Sequence, residues 1–438
     1  PLPRDMLRDL LSIRRDPLAY LERTAARFGD RVAFPMPKTP VLLVATTAGA
    51  RRVLVENAGA WSKATIQYGA LSLVTGSGLL TSDGSAWREA RRVAQPAFHR
   101  SGLAAVAEQS VAAAERVRAR AAVEGEVVDV DAAVLQATLE VVGRTLFGGD
   151  VTADGERVVA AVLEALEVVI GRARTPLPGW LPTPATRRLA RANRVMDEVV
   201  ARVVARRRTA GDLGDDLLGL LLRAVDEGRL PPESVRAELV TMVIAGHETV
   251  ASCLTWTLDL LAQNPGAQDR LHAELDTVLG AEGGAGHRAP AWEDLRDLTW
   301  TRAVVDESLR LYPPAWVVTR RAESDDVVDG TAVPAGTLVI VSPWLLQRRA
   351  DVHPDPERFD PGRFTGEGPE VPRGSYLPFG AGARLCIGRD FALTEAVLVL
   401  AALLRDRRVD PVPGDEPVLE ALVTLRPRGG LRLRLRRR

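Results

Sequence analysis

One ten-residue stretch, Phe379-Gly-Ala-Gly-Ala-Arg-Leu-Cys386-Ile-Gly388, restricts what this chain can fold into more than any other. Phe379, Gly382, Arg384, Cys386 and Gly388 fit the pattern FxxGxRxCxG, which holds one of the chain's two cysteines. A thiolate is the form of cysteine that binds iron. Glycine lets backbone pass close to a flat macrocycle and take positive φ where a turn needs it. From Arg389 onward, Arg-Asp-Phe-Ala-Leu-Thr-Glu-Ala-Val-Leu-Val-Leu reads as a helix. Cys386 is therefore expected near a helix N-terminus, whose free N–H groups favour a thiolate. Arg384 is suited to pair with a propionate, and Phe379 to pack on the sulfur side. The stretch reads as a haem-iron ligand loop, against the plainer alternative of a buried cysteine in a Gly-rich turn.

A second signal lies upstream. The apolar run 232–262 follows Pro231-Pro232, where proline is tolerated at a helix start, and stops before Pro265. It predicts one long helix of roughly 45 Å at 1.5 Å per residue. Near its middle stands Ala245-Gly246-His247-Glu248-Thr249. A mid-helix glycine costs about 1 kcal/mol against alanine, so it needs a reason. Ala245 and Gly246, followed by an acid and an alcohol, would make a groove for a small diatomic ligand on iron. Thr249 would donate a hydrogen bond to oxygen and Glu248 would relay protons. His247 reads as a structural histidine.

Two further patterns are weak alone. Glu307-Ser-Leu-Arg310 puts opposite charges on one helical face. Trp87 and Arg91, four apart, share a face and can both reach one carboxylate.

Taken in order, these four motifs resemble the cytochrome P450 family of haem-thiolate monooxygenases, over nearly the whole chain. The resemblance implies the family's fold, mainly α with a small β portion, as a single large domain over residues 1–438. It implies haem b as cofactor, with Cys386 as iron ligand and dioxygen as co-substrate. Cofactor-binding residues would be Lys63, Trp87, Arg91, Arg321, Phe379, Arg384, Cys386 and Gly388, with Arg321 preferred over Arg320. Catalytic positions would be Ala245, Gly246, Glu248 and Thr249. Glu307, Arg310 and Arg358 would form a buried charged network that locks the loop before Cys386. Tryptophan at 87 and glutamate at 248 are similar to members on the eukaryotic and fatty-acid-oxidising branches.

The pocket, by the same resemblance, would draw on Ile66–Leu80, the 166–200 helices, Met242–Ala245, Ala315–Val318 and Leu422–Thr424, with Tyr68 and Trp316 shaping it. That apolar lining points to a hydrophobic small molecule, a terpenoid or other natural product of secondary metabolism, with a macrolide or fatty acid as alternatives. Hydroxylation is the expected outcome; desaturation or ring coupling uses the same chemistry. No Walker loop or GxGxxG is present and no residues remain for a flavin reductase, so electrons are expected from a ferredoxin or flavodoxin with its reductase. A peroxide-driven hydroxylase is disfavoured by Glu248 and Thr249, which such an enzyme would not need. A haem carrier or gas sensor is disfavoured on the same ground.

Composition bounds the rest. Lys plus Arg and Asp plus Glu are 57 each, so net charge makes no case for nucleic acid. The final Leu-Arg alternation reads as an edge strand with solvated arginines. Two cysteines, Cys253 and Cys386, cannot build a disulfide framework, which suits a reducing cytoplasm, and the expected state is a monomer. The N-terminal residues lack a leader pattern, and charged or His residues interrupt the apolar runs before a membrane span is complete. Helical patterning covers Pro17–Phe28, Ser85–Glu108, Ala132–Leu146, Arg157–Arg174, Pro184–Ala210 and Asp216–Glu227. Strand patterning covers Val41–Val44, Thr337–Val341 and 431–435.

Overall fold

In the computed structural model, all residues are described except 1–11, 14, 35, 37–38, 121–124, 149–151, 174–182, 281–285 and 368–370. Helices dominate, and two large apolar clusters organise them. One joins helices Ile66–Thr75, Val130–Leu146, Thr152–Ala173, Pro184–Thr209, Leu217–Asp226 and Glu233–Val243. The other joins Thr249–Gln263, Pro265–Leu279, Thr299–Leu311 and Arg389–Leu404.

The predicted long helix runs through both clusters but is not uniform. It is α-helical over Glu233–Val243, widens to a π-turn at Ile244–Glu248, and resumes over Thr249–Gln263. Leu239, Val240 and Met242 belong to the first cluster, while Leu254, Leu258 and Leu261 belong to the second. The wide turn thus falls where the helix passes from one core to the other. Such π-turns are rare and gather at functional sites. Thr249 stabilises it locally: its hydroxyl donates to the Ala245 carbonyl at 2.6 Å. Gly246 has a packing reason too, because a Cβ there would sit 3.0 Å from Val142 on the neighbouring helix.

Contrary to expectation, the residue 233–263 segment is long and apolar enough to cross a bilayer, but 83% of its apolar window is buried inside the protein. It is the core helix.

The β portion is small. A five-stranded sheet runs Arg31–Phe34, Val41–Val44, Leu338–Val341, Val318–Ala322, Trp61–Ser62 in spatial order, with one parallel pairing between Val41–Val44 and Leu338–Val341. The C-terminal strand Arg432–Arg437 is not an edge. It lies between Val127–Asp129 and Arg407–Pro411, with Leu433 and Leu435 in the core and arginines outward. Alternation reports which face is buried, not how many neighbours a strand has. Short hairpins Asp326–Val333 and Leu419–Pro427 complete the strands.

Most helix bounds fall within a few residues of the pattern. The exception is 85–108, which breaks into Gly84–Ala94, a 3₁₀ turn Gln95–Phe98 and Arg100–Arg120, since Pro96 has no N–H for a continuing helix. Part of the Gly-rich loop 281–290 and of the Pro/Asp-rich segment 351–373 lies outside the described residues.

Candidate active site

The loop before Cys386 is shaped by backbone that only glycine tolerates well. Gly380 and Gly382 have φ of +70° and +68°, and a Cβ on Gly382 would meet the Leu54 carbonyl oxygen at 2.0 Å. The Cys386 N–H donates to the Phe379 carbonyl at 3.0 Å, closing the turn just ahead of helix Arg389–Leu404. Gly388 sits before that helix with ordinary negative φ and borders the cavity into which Cys386 opens, and a Cβ there would meet the Phe98 ring at an ordinary 3.7 Å.

That cavity has a volume of about 300 Å³. Cys386 and Phe379 border it, and so do Ala245, Gly246 and Thr249 of the π-turn region. Residues far apart along the chain are therefore brought to one space. Cys386 is open to the cavity yet sunk deep in the protein, so burial raises its thiol pKa; the Gly388 N–H, Arg91, Lys63 and Arg389 oppose that rise. The lowering expected from the helix end is outweighed. A thiolate here needs the charge of a bound metal to form readily.

Cations surround the cavity. Lys63, Arg91, Arg320 and Arg384 border it, and no acidic side chain does among the described residues. The Lys63 ammonium donates to the Leu80 carbonyl at 2.7 Å. Its pKa falls well below the usual lysine value, first from burial and then from Arg320 and Arg384. Arg384 pairs with Asp83, donates to the Ser82 carbonyl at 3.0 Å, and stacks 3.7 Å above the Trp87 ring. Burial pushes its pKa down to about 10. Arg91 donates to the Leu385 carbonyl at 2.9 Å, tying helix Gly84–Ala94 to the residue beside the ligand cysteine. Buried cations that repel one another call for anions. A macrocycle with two propionates beside a thiol supplies that complement, so the residues present fit haem.

Arg321 is not among them. It lies on the exposed side of strand Val318–Ala322, whereas Arg320 is buried and borders the cavity with Val318. Arg320 donates to the Thr319 carbonyl at 2.8 Å and reaches the Tyr68 hydroxyl at 3.4 Å. The signal was in the sequence: period 2 puts residue 320 on the face of pocket residue 318.

Glu248 also departs from expectation. It is buried but does not border the cavity; its carboxylate accepts from the Thr424 hydroxyl at 2.7 Å and lies 4.0 Å from the Arg426 guanidinium. Burial raises its pKa, opposed by Thr424 and Arg426. His247 is buried, with its pKa lowered to about 4 by burial and then by Arg426, so it is neutral at pH 7.

The charged pair behind the loop is completed by an unexpected residue. Arg310 donates to Glu307 twice, and to the carbonyls of Gln347, Pro356 and Arg358. Arg358 thus offers only its backbone, and the second guanidinium is that of Arg363, with Nε 3.4 Å from Glu307. An aperiodic loop gives no register from which to choose between arginines five residues apart. Gln347 extends the network by accepting from the Leu377 N–H at 2.7 Å, two residues before Phe379.

The apolar wall includes Tyr68, Leu79, Leu80, Met242, Ala315 and Val318, as expected. Val142 and Leu146 join it unforeseen. Leu422–Thr424 and the described residues of the 166–200 helices do not border it. Trp316 faces away, with its indole N–H donating to the Leu422 carbonyl at 3.1 Å.

Comparison with known proteins agrees with this geometry. The family model "Cytochrome P450" matches residues 3–431. Cyclooctatin synthase of Streptomyces melanosporofaciens is 37% identical over 92% of this chain and 88% of its own. Pentalenene oxygenase of Streptomyces avermitilis is 35% identical over 96% of this chain and 93% of its own. The crystal structure of CYP175A1 from Thermus thermophilus superposes with a TM-score of 0.81 at 33% identity, covering 99% of this chain and 98% of that one.

Proposed function

The chain belongs to the cytochrome P450 family and is a monooxygenase that uses haem b and dioxygen on a hydrophobic small molecule, and from that premise we propose that its substrate is a terpenoid, which it hydroxylates. Haem held by a cysteine thiolate supplies reductive cleavage of dioxygen, one atom going to substrate and the other to water. The single observation that carries the site assignment is that Cys386 and the Ala245–Thr249 turn border one apolar cavity.

Within it, Cys386 would be the iron ligand. Lys63, Trp87, Arg91, Arg320 and Arg384 border the same space and would hold the propionates, the cations through charge-assisted hydrogen bonds. Gly388 and Phe379 border the cavity beside Cys386 and would flank the ring there. Ala245 and Gly246 leave room for dioxygen, since neither carries a side chain beyond Cβ. The Thr249 hydroxyl, now donating to Ala245, borders the reacting space and is the proton donor to it. Glu248 replenishes that proton. The apolar wall excludes water, which favours a terpenoid skeleton over a charged substrate.

Electrons come from a ferredoxin or flavodoxin with its reductase, in the cytoplasm, where the thiol stays reduced. The docking face is the Cys386 side, where Arg88, Arg92 and Arg100 are exposed and Phe98 lies 3.7 Å from a Cβ position on Gly388. Steering by these charges makes association fall with salt.

Binding difference spectra with terpenoid, macrolide and fatty-acid panels test the substrate class. Displacement of the iron-bound water by cyclic terpenoids at micromolar concentration is expected. A response confined to fatty acids or macrolides would replace the terpenoid reading.

A further inference from the structure

Glu248 does not face the cavity it is meant to serve. Its carboxylate is turned toward the C-terminal hairpin, where Thr424 donates to it at 2.7 Å and Arg426 stands 4.0 Å away. Arg426 in turn donates to Asp131 at 2.9 Å, and Asp131 accepts from Thr255 at 3.1 Å. Three elements therefore meet at this carboxylate: the π-turn, the strand Leu425–Pro427 with the residue before it, and helix Val130–Leu146. The charged groups acting on it are Arg426 and Asp131, and its sequence neighbour His247 feels the same Arg426. The side chain of Arg426 is 16% exposed against 5% for Glu248, so the chain of contacts leads from solvent to the turn.

We infer that Thr424 and Arg426, anchored by Asp131, are positioning residues that hold Glu248 at the outer end of the proton path. The inference rests on the reading of Glu248 as the acid of the acid–alcohol pair. Rotation of the Glu248 side chain breaks the Thr424 bond and carries its carboxyl proton inward toward the Thr249 hydroxyl. Thr249 passes a proton into the cavity, and the Glu248 carboxylate regains one from solvent beside Arg426. One proton enters for each one delivered, and no electrons move along this path. The Thr424 hydroxyl and the Arg426 charge both favour the ionised form, while burial opposes it. Removing either leaves burial less opposed, so Glu248 holds its proton to higher pH.

The test uses the full-length holoprotein and two readouts. One is the pH profile of product formed per electron consumed. The other is the pH midpoint of the protonated-carboxyl infrared band of the resting protein, assigned to Glu248 by its loss in Glu248→Gln. Thr424→Val, which keeps side-chain shape, and Arg426→Gln are expected to move both the profile's limb and the midpoint up by about one pH unit. Arg426→Lys is expected to bring both most of the way back to the parent values, since a charge remains. Unmoved limb and midpoint in Thr424→Val and Arg426→Gln, with the limb abolished by Glu248→Gln, would overturn the inference alone. A limb unaffected by Glu248→Gln would overturn the acid assignment and the inference with it.

Discussion

Arg310 grips Glu307 through two hydrogen bonds of 2.6 and 2.8 Å, and neither residue has exposed surface. The pair is one helical turn long, yet its reach is wide. Arg310 also holds three backbone carbonyls, and the Asp360 N–H donates to Glu307 at 2.9 Å. Two loops are thereby fixed to helix Thr299–Leu311. Glu307→Ala leaves Arg310 and Arg363 buried without their acid, a loss on the order of 3–5 kcal/mol. Arg363→Ala is expected to cost less, because Arg310 still pairs, and Arg358→Ala less again. Thermal unfolding of the three variants checks the order; Arg358→Ala as the more damaging of the two arginine variants would contradict it.

The adjacent arginines of strand Val318–Ala322 give a sharper contrast. Arg320→Leu removes a buried cation beside the cavity, and Arg321→Leu removes a solvated one. A hydrogen bond to a charged partner is worth about 1.5–3 kcal/mol. Transfer of haem to a scavenger protein is therefore expected to quicken on the order of tenfold or more in Arg320→Leu and to stay at the parent rate in Arg321→Leu.

Stability should depend on pH through Glu238. This residue is buried on helix Glu233–Val243, and burial raises its pKa to about 7, opposed by the Leu79 N–H. The folded state binds the proton more tightly than the unfolded chain. The stabilisation is fully present below about pH 4.5 and is lost as pH rises through 7. Glu238→Gln removes this slope, and relative to the parent it should gain about 3 kcal/mol by pH 8. His247, at about 4, acts in the opposite sense, costing stability as pH falls from 6.5 toward 4. Urea unfolding of parent and variant between pH 5 and 8 measures the difference. A constant difference across that range would refute it.

Thr249→Ala should leave haem content and substrate affinity near parent values while diverting electrons into hydrogen peroxide. The hydroxyl satisfies only the Ala245 carbonyl, so little packing is lost. What disappears is ordered proton delivery beside the reacting space. Product per electron is expected to fall several-fold, a typical loss for one acid–base group being larger, about 10²–10⁴ in rate. Parent-level coupling would require another donor.

The parts of this site that were legible in the sequence are those whose residues act in consecutive or helical register. The Cys386 loop, the Ala245–Thr249 string, Glu307 with Arg310, and Trp87 with Arg91 are each close in sequence, so local spacing already groups the residues that the structure brings to one cavity or, for Glu307 and Arg310, into one pair. Where position depends on a distant partner, the text of the chain was not enough. Glu248 lies in the expected string, but its direction is set by Thr424, 176 positions away. Arg363 rather than Arg358 reaches Glu307 because of how an aperiodic loop folds back. The π-turn falls where one helix passes between two cores, a position that no single-residue propensity reports. Arg320 was the avoidable miss, since strand alternation named it.

The central claim is that Cys386 supplies a thiolate to haem iron in this cavity, and the reduced carbon monoxide complex tests it most directly. Its Soret band should show the strong red shift that thiolate ligation causes, and Cys386→His should bind haem without it. A parent protein lacking that band when replete with haem and properly folded, or a Cys386→His protein retaining it, would contradict the account.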